Sequence, residues 1–103
     1  VLTTRSPPVA TLAPHTALLC CATARGNGSD VVSRCVLPKL GEDPVKGWAH
    51  TGMTPYWAKE LDKMCMIAYQ RSKRGGVLHC EFAGDRVLIG GSSIRYMDGR
   101  IYL

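Results

Sequence analysis

The sequence predicts an α+β fold in which a curled antiparallel sheet wraps around one central helix. The chain of 103 residues is long enough for one small domain and little more. The segment 47–64 has apolar side chains at helical spacing. The residues after it form short apolar runs separated by glycine-containing turn signals, which is typical of an antiparallel meander. A sheet of four or five strands needs one face covered, and this helix is the element able to cover it.

Composition places the chain among ordinary globular domains. Hydrophobic residues make up 46% and charged residues 20%, which excludes an intrinsically disordered or low-complexity chain. We expect no membrane helix, because no apolar run reaches about 18 residues, and no segment forms a complete targeting signal. The five cysteines include no C-x-x-C pair, so we expect no zinc site and a reducing, cytoplasmic compartment. Cys35, Cys65 and Cys80 are predicted to be inert core residues.

The first part of the chain predicts strands separated by loops. Residues 1–4 begin with a β-branched pattern that favours a strand. Residues 11–24 have no clean period, so helix and buried strand both remain open. Residues 25–29 have the composition of a loop. Residues 30–37 are rich in valine and end at Pro38, which is typical of a strand.

The central helix has two possible starting points. In the local reading, Thr54 caps a short helix whose first residue is Pro55. In the wider reading, the helix begins near Gly47 and kinks at Pro55. The apolar side chains of this segment recur at spacings of four, four and three, which places them on one face of a helix: Met53, Trp57, Leu61 and Met64.

The last 40 residues predict a meander of short strands. Residues 77–82 alternate between apolar and polar side chains, as in a strand with one buried face. The dipeptides Gly84-Asp85 and Asp98-Gly99 are two-residue hairpin signals. We therefore expect strands at residues 64–70, 77–82, 86–89, 94–97 and 100–103.

The segment best suited to chemistry is EDPVKGWAH, residues 42–50. Two carboxylates precede Gly47, the residue at which the wider reading starts the helix. The free N–H groups of a helix's first turn bind anions, and the helix dipole adds to that attraction. A carboxylate beside such a site can donate or accept a proton, which makes Asp43 the candidate acid–base residue. The structural alternative is that an acid before a helix acts only as a cap or first-turn charge, and in isolation that is the commoner role.

These residues resemble a known family. EDPVKGWAH is similar to the EDPVTGSAH segment of PhzF-like proteins, the phenazine-biosynthesis isomerase family of the diaminopimelate-epimerase fold. Before it, SDVVSRCVLPKLG resembles the family's D-F-V-S-R-x-F-A-P stretch. After it, TPYWAKEL and AYQRSKRGGVLHCEFAGDRVLIGG follow the A-P-Y-W, Q-x-S-x-R-G-G and G-D-R-V patterns in order. The resemblance covers residues 29–103, which we take as one lobe, with residues 1–28 as a separate strand-and-loop segment.

The resemblance implies the second lobe of a two-lobed isomerase with its site in the cleft between the lobes. It implies proton abstraction and reprotonation on a small carboxylate metabolite, no cofactor, and a helix that begins at Gly47. Asp43 aligns with the aspartate of the family's site. Gly47 and Ala49 align with the helix start that holds the substrate carboxylate, and His50 matches a frequent family residue beside it.

Two residues depart from the family pattern. Lys46 replaces a threonine and could offer a point charge to an anion. Trp48 replaces a serine, and an indole cannot reproduce the hydrogen bonds of a hydroxyl, although it can fill a pocket or stack on a planar ligand. The family's acid–base glutamate belongs to the first lobe, so we expect little or no turnover from this chain alone. The predicted substrate-binding residues are Lys46, Gly47, Trp48, Ala49 and His50.

Two other classes of function compete with an isomerase lobe. A non-catalytic module would bind a partner lobe or form a homodimer through an exposed apolar surface. A nucleic-acid binder would use the net charge of +5 and the basic run 71–74. That run matches a family turn and the nearby aromatic residues lack a stacking order, so we expect no nucleic acid. No residue cluster or phosphate loop predicts a metal or a nucleotide cofactor.

Overall fold

The computed structural model describes residues 20–37 and 40–103, and the strand expected at residues 1–4 lies outside them. In this part of the chain, one helix packs on a curled six-stranded sheet, which confirms the predicted fold class. The sheet order is β1-β2-β4-β5-β6, and the short β3 pairs with β2. The elements are β1 (Cys20–Arg25), β2 (Val31–Leu37), β3 (Gly41–Glu42), α1 (Gly47–Leu61), β4 (Cys65–Gln70), β5 (Gly76–Ala83) and β6 (Arg86–Gly90).

The sheet contains one parallel pair, β2 with β4, among otherwise antiparallel pairs. Its strands are joined through α1, because parallel neighbours need a long crossover connection. Asp30 secures the start of this pair. Its carboxylate binds Lys63 Nζ at 2.6 Å and the N–H of Ile67 at 2.8 Å. These two bonds lower the pKa of Asp30, with the lysine as the larger cause.

The helix begins at Gly47 and runs through Pro55, so the wider reading is confirmed and the short helix is wrong. Thr54 is buried, and its hydroxyl donates to the carbonyl of His50, one turn earlier, at 2.6 Å. That bond belongs to a residue inside a helix rather than to a cap. Pro55 is tolerated because burial of the helix face against the sheet outweighs one lost backbone hydrogen bond.

The main core lies between α1 and the sheet. Met53, Trp57 and Leu61 pack there as predicted, but Met64 does not and is 58% exposed. The helix ends before Met64, because Asp62 adopts the left-handed conformation at φ 52° and its N–H bonds to carbonyls of the last turn. The buried members of the cluster are Val31, Trp57, Ala58, Met66, Ala68, Leu78 and Cys80.

The hairpin formed by β5 and β6 is where the sequence predicted it. Gly84 has a φ of +66°, as the first residue of a tight hairpin turn requires, and Ala83 pairs with Arg86. Cys80 is buried and Cys35 is fully buried, as expected. Cys65 is exposed, so its predicted place in the core is wrong. It lies on the solvent side of β4, because alternate residues of a strand point to opposite faces.

Residues 91–103 form neither strand nor helix, so the strands predicted at 94–97 and 100–103 are wrong. A strand needs a neighbour for its backbone hydrogen bonds, and no other described segment pairs with these residues. Within the described residues, no helix is both long and apolar enough to cross a bilayer. Six large apolar side chains of residues 91–103 are between 79% and 120% exposed: Ile94, Tyr96, Met97, Ile101, Tyr102 and Leu103.

Candidate active site at the start of the helix

The loop between β3 and α1 carries the predicted acid–base residue. The backbone N–H of Asp43 donates to the carbonyl of Cys35 at 2.8 Å, which ties the loop to β2. The Asp43 side chain is 16% exposed, and its Oδ2 lies 3.6 Å from Lys46 Nζ. Asp43 and Lys46 therefore form an ion pair immediately before the helix.

Gln70 holds both ends of this loop. Its side chain is fully buried, its Nε2 donates to the carbonyl of Asp43 at 3.0 Å, and its Oε1 accepts from the N–H of Lys46 at 2.6 Å. One amide group thus satisfies a backbone acceptor and a backbone donor that lie three residues apart. Gln70 was not among the predicted site residues, although it opens the stretch QRSKRGG that matches the family pattern Q-x-S-x-R-G-G, because that pattern alone assigns it no role.

The first turn of α1 is uncapped. Lys46 is the N-cap residue, with extended backbone and no side-chain hydrogen bond to the helix, and no acidic residue lies in the first turn. A Cβ added at Gly47 would meet no atom within 4 Å, so the space beside it is open. Uncapped N–H groups at the positive end of the helix dipole form an anion site. The structure thus brings Gly47 and Ala49 together with Asp43 and Lys46.

Trp48 points away from the protein. Its side chain is 68% exposed, so the indole does not pack into the core. Its carbonyl accepts the hydroxyl of Thr51 at 2.6 Å, an ordinary bond within a helix. A large aromatic surface therefore stands at the rim of the helix start.

His50 lies behind the loop rather than on its surface. Its side chain is 1% exposed, with Nδ1 at 2.8 Å from the carbonyl of Lys46 and Nε2 at 3.5 Å from Ser33 Oγ. A carbonyl can only accept, so Nδ1 carries the proton. These contacts make His50 a support for the loop, and its predicted contact with substrate stays a prediction.

Stability should depend on the protonation of His50. Burial lowers its pKa below 6.5, although the Lys46 carbonyl partly opposes this effect. Between the lowered pKa and about 6.5 the unfolded chain binds more protons, so the free energy of unfolding rises with pH there. We expect full stability above about pH 7.5 and a progressive loss as the pH falls below about 6.5, of at most about 1.4 kcal/mol per pH unit. Urea unfolding at several pH values measures this dependence.

The exposed His79 provides the control for this prediction. His79→Asn should leave the pH dependence of unfolding unchanged, because His79 lies on the solvent face of β5. An NMR titration of the parent protein gives a direct reading of His50. A His50 imidazole that titrates at or above about 6.5 would contradict the prediction.

A depression of about 480 Å³ lies beside the same loop. Ser72 forms part of its wall and donates its hydroxyl to the carbonyl of Pro44 at 2.8 Å. The basic run predicted to be only a solvated turn therefore lies next to the predicted site. The lining residues are Glu42, Pro44, Ser72, Lys73 and Arg74.

A larger depression, of about 640 Å³, lies on the face of β4, β5 and β6, and no residue of the loop 43–46 lines it. Ile67 and Leu88 give that face an apolar surface, with exposures of 43% and 52%. Among the described residues, no group of three or more His, Cys, Asp and Glu side chains is placed to hold a metal ion.

Comparison with known proteins matches residues 9–99 to the PhzC-PhzF family, described as phenazine biosynthesis-like proteins. An uncharacterised isomerase of Pseudomonas aeruginosa is 48% identical over 83 residues, which are 79% of this chain and 32% of that protein. Phenazine biosynthesis-like domain-containing protein 2 of the mouse is 44% identical over 75 residues, which are 70% of this chain and 26% of that protein.

The fold has solved counterparts. The crystal structure of a PhzC/PhzF protein from Clostridium difficile superposes with a TM-score of 0.78 and 40% identity, over 97% of this chain and 40% of that one. The chain therefore spans about a third of the length of the curated relatives that it matches.

Proposed function

Because this chain belongs to the phenazine biosynthesis-like PhzC-PhzF family, we propose that it supplies one lobe of an isomerase that moves a proton on a small carboxylate metabolite. The observation that carries the proposal is the uncapped start of α1, open at Gly47, with Asp43 and Lys46 beside it. The name of the Pseudomonas relative, an isomerase, supports the reaction class.

The helix start would hold the substrate carboxylate. The N–H groups of Gly47 to Ala49 have no intrahelical acceptor, and the space beside Gly47 is open. Lys46 adds a full positive charge at the same end of the helix. A bound carboxylate would then share Lys46 with Asp43, so the ion pair at 3.6 Å would loosen as substrate enters.

Asp43 would carry the proton. Its backbone is held on both sides: its N–H donates to the carbonyl of Cys35, and its carbonyl accepts from the side-chain amide of Gln70. Such fixation keeps an acid–base group in place while the substrate is repositioned. Abstraction of a proton at one carbon of the substrate and its delivery to another carbon need a second acid–base residue. The remaining two thirds of a full-length relative would supply that residue.

Trp48 and Lys46 would change the choice of substrate. An exposed indole at the rim can stack on a planar ring or enoate, which a serine cannot do. The lysine replaces a neutral hydroxyl by a charge, which favours a more highly charged acid. The proposal therefore assigns a planar, carboxylate-bearing amino or hydroxy acid as the substrate class.

Anion binding at the helix start can be measured on the chain alone. Asp43→Asn should bind benzoate and lactate more tightly, by roughly fivefold, because a nearby like charge is removed. Lys46→Gln should bind them more weakly. Chemical shifts of the Gly47 and Ala49 amides during an NMR titration report the binding, and Lys63→Gln serves as a distant control.

A measurement of turnover distinguishes an inactive single lobe from a complete enzyme. We expect the 103-residue chain to incorporate no solvent deuterium into these acids. Exchange by the purified chain that disappears in Asp43→Asn would show that no second lobe is needed. If neither substitution changed the affinity measured from the Gly47 and Ala49 amide shifts, there would be no anion site at the helix start, and the proposed function would be wrong.

A second candidate function, a dimerising module, is favoured by the exposed residues 91–103. Their apolar side chains project into solvent, and they follow β6, whose outer edge pairs with no described strand. An unpaired, apolar, extended segment beside a free sheet edge is suited to strand addition by another chain. The partner we propose is a second copy of this chain.

Dimerisation should depend on the terminal segment. We expect a molar mass that rises with concentration for the full chain, measured by light scattering after size exclusion. Removal of residues 92–103 should leave a monomer at every concentration, because the apolar surface is lost. A full chain that stays monomeric throughout would contradict this second function and leave the first untouched.

A further inference from the structure

Two cysteines face each other on the sheet beside the candidate site. Cys21 of β1 and Cys35 of β2 are direct partners across an antiparallel pair of strands. Opposed residues in such a pair have Cα atoms about 4.5–5.5 Å apart, which lies inside the range of about 4.4–6.8 Å found for disulfides. Their thiols form a hydrogen bond, so both sulfur atoms already point at each other.

We propose that Cys21 and Cys35 form a reversible intramolecular disulfide when the protein meets a peroxide, so that the strand pair beside the loop bearing Asp43 carries an oxidant-responsive site. The two thiols have the unequal environments that such chemistry needs. Cys21 is partly exposed, so a small oxidant can reach it, whereas Cys35 is fully buried. An accessible cysteine beside a resolving cysteine is the usual arrangement of redox-sensing pairs.

Both thiols lie on the side of the sheet that faces α1. Thr23, two residues after Cys21, accepts a hydrogen bond from Trp57, and Ser33, two residues before Cys35, lies 3.5 Å from His50. Side chains two residues apart share one face of a strand. Cys20 points to the other face and packs in a separate cluster with Ala22 and Val36, so it is not placed to compete.

The hydrogen bond between the two thiols favours attack by Cys21. The pKa of Cys21 is lowered, chiefly by the hydrogen bond from Cys35, while burial and the nearby Asp43 carboxylate oppose this effect. The pKa of Cys35 is raised by the same bond and by burial, so it remains a protonated thiol until it reacts. Cys21 is therefore the attacking sulfur and Cys35 the resolving one.

The reaction with hydrogen peroxide balances in two steps. The Cys21 thiolate attacks one peroxide oxygen, the O–O bond breaks, and a sulfenic acid and hydroxide form. The Cys35 sulfur then attacks Cys21, the S–S bond forms, and the S–O bond breaks. The sulfenic oxygen leaves as water with the Cys35 proton, and the hydroxide takes up the proton that Cys21 had released. Two thiols are oxidised, one peroxide is reduced and two waters result.

The bond would act on the neighbouring loop. The carbonyl of Cys35 accepts the N–H of Asp43 at 2.8 Å, so any shift of Cys35 passes to the residue proposed to carry the proton. The disulfide itself does not depend on that role, since its formation needs no substrate. Disulfide formation between Cys21 and Cys35 can therefore be true even if the proposed isomerase function is wrong.

Mass spectrometry of the full chain tests the proposal. Trypsin separates the two cysteines by cleavage after Arg25 and Arg34, so a bond between them joins two peptides. After treatment with about equimolar hydrogen peroxide we expect a monomer lighter by two hydrogen atoms, the joined peptides, and three alkylatable thiols in place of five. Dithiothreitol should restore all five.

Variants identify the sulfur atoms. Cys20→Ser should form the joined peptides as the parent does, because its side chain lies on the other face. Cys21→Ser should form none, with its fold checked by circular dichroism. The proposal would be overturned if the parent chain gave only sulfenic acid or only intermolecular dimers. It would also be overturned if the joined peptides still formed in Cys21→Ser. The parent experiment decides the question even if a variant fails to fold.

Discussion

Trp57→Ala should lower the free energy of unfolding by about 3–5 kcal/mol. The side chain is 4% exposed and lies at the centre of the cluster between α1 and the sheet. Its Nε1 donates to Thr23 Oγ1 at 2.9 Å, and that hydroxyl donates in turn to the carbonyl of Val32 at 3.0 Å. The substitution therefore creates a cavity and leaves Thr23 short of one partner.

The two tryptophans provide a matched pair. Trp48→Ala should change the free energy of unfolding by less than about 0.5 kcal/mol, because that side chain is 68% exposed. Urea unfolding followed by circular dichroism measures both variants without relying on tryptophan fluorescence. Similar losses in the two variants would show that Trp57 does not centre the core.

Gln70→Leu should lower the free energy of unfolding by about 1–3 kcal/mol, because it leaves the part-buried N–H of Lys46 and the part-buried carbonyl of Asp43 without this partner. The side chain is fully buried and joins the carbonyl of Asp43 to the N–H of Lys46. Leucine keeps most of the volume, so packing contributes little to the loss. The same change should weaken binding of benzoate at the helix start, since the loop loses its fixed geometry.

Tyr69→Phe, next to Gln70, is the control. Tyr69 is 37% exposed on the solvent side of the same strand, so loss of its hydroxyl should cost less than about 0.5 kcal/mol. Urea unfolding and the NMR titration with benzoate report the two effects separately. A stable Gln70→Leu protein with unchanged benzoate binding would show that the loop holds its shape without this amide.

Short-range patterns were enough for the meander up to Gly90. The turn at Gly84 needs only a residue that tolerates positive φ, and the strands beside it show a period of two.

The start of the helix could not be predicted from short-range patterns. The residues around Pro55 favour a new helix by local rules, whereas the structure continues one through it. Family resemblance, rather than any local preference, predicted the start at Gly47 correctly.

The candidate site was predicted in part. Asp43, Lys46 and Gly47 are neighbours in sequence, so one loop and one helix start bring them together without any long-range pairing. Gln70 lies 27 residues from Asp43 and reaches it only because β4 lies beside β2 in the sheet. A hydrogen bond of that kind leaves no periodic trace in the sequence.

The sequence by itself determined the fold class, the hairpin at Gly84 and the acidic residue that precedes the helix, because each depends on residues near one another along the chain. Only the tertiary structure decided that Gln70 holds the loop, that Cys21 faces Cys35, and that residues 91–103 lie outside the sheet. Those three results depend on which strands become neighbours and in which register. Pairing between strands is set by the burial of a whole face at once, and no single segment records it.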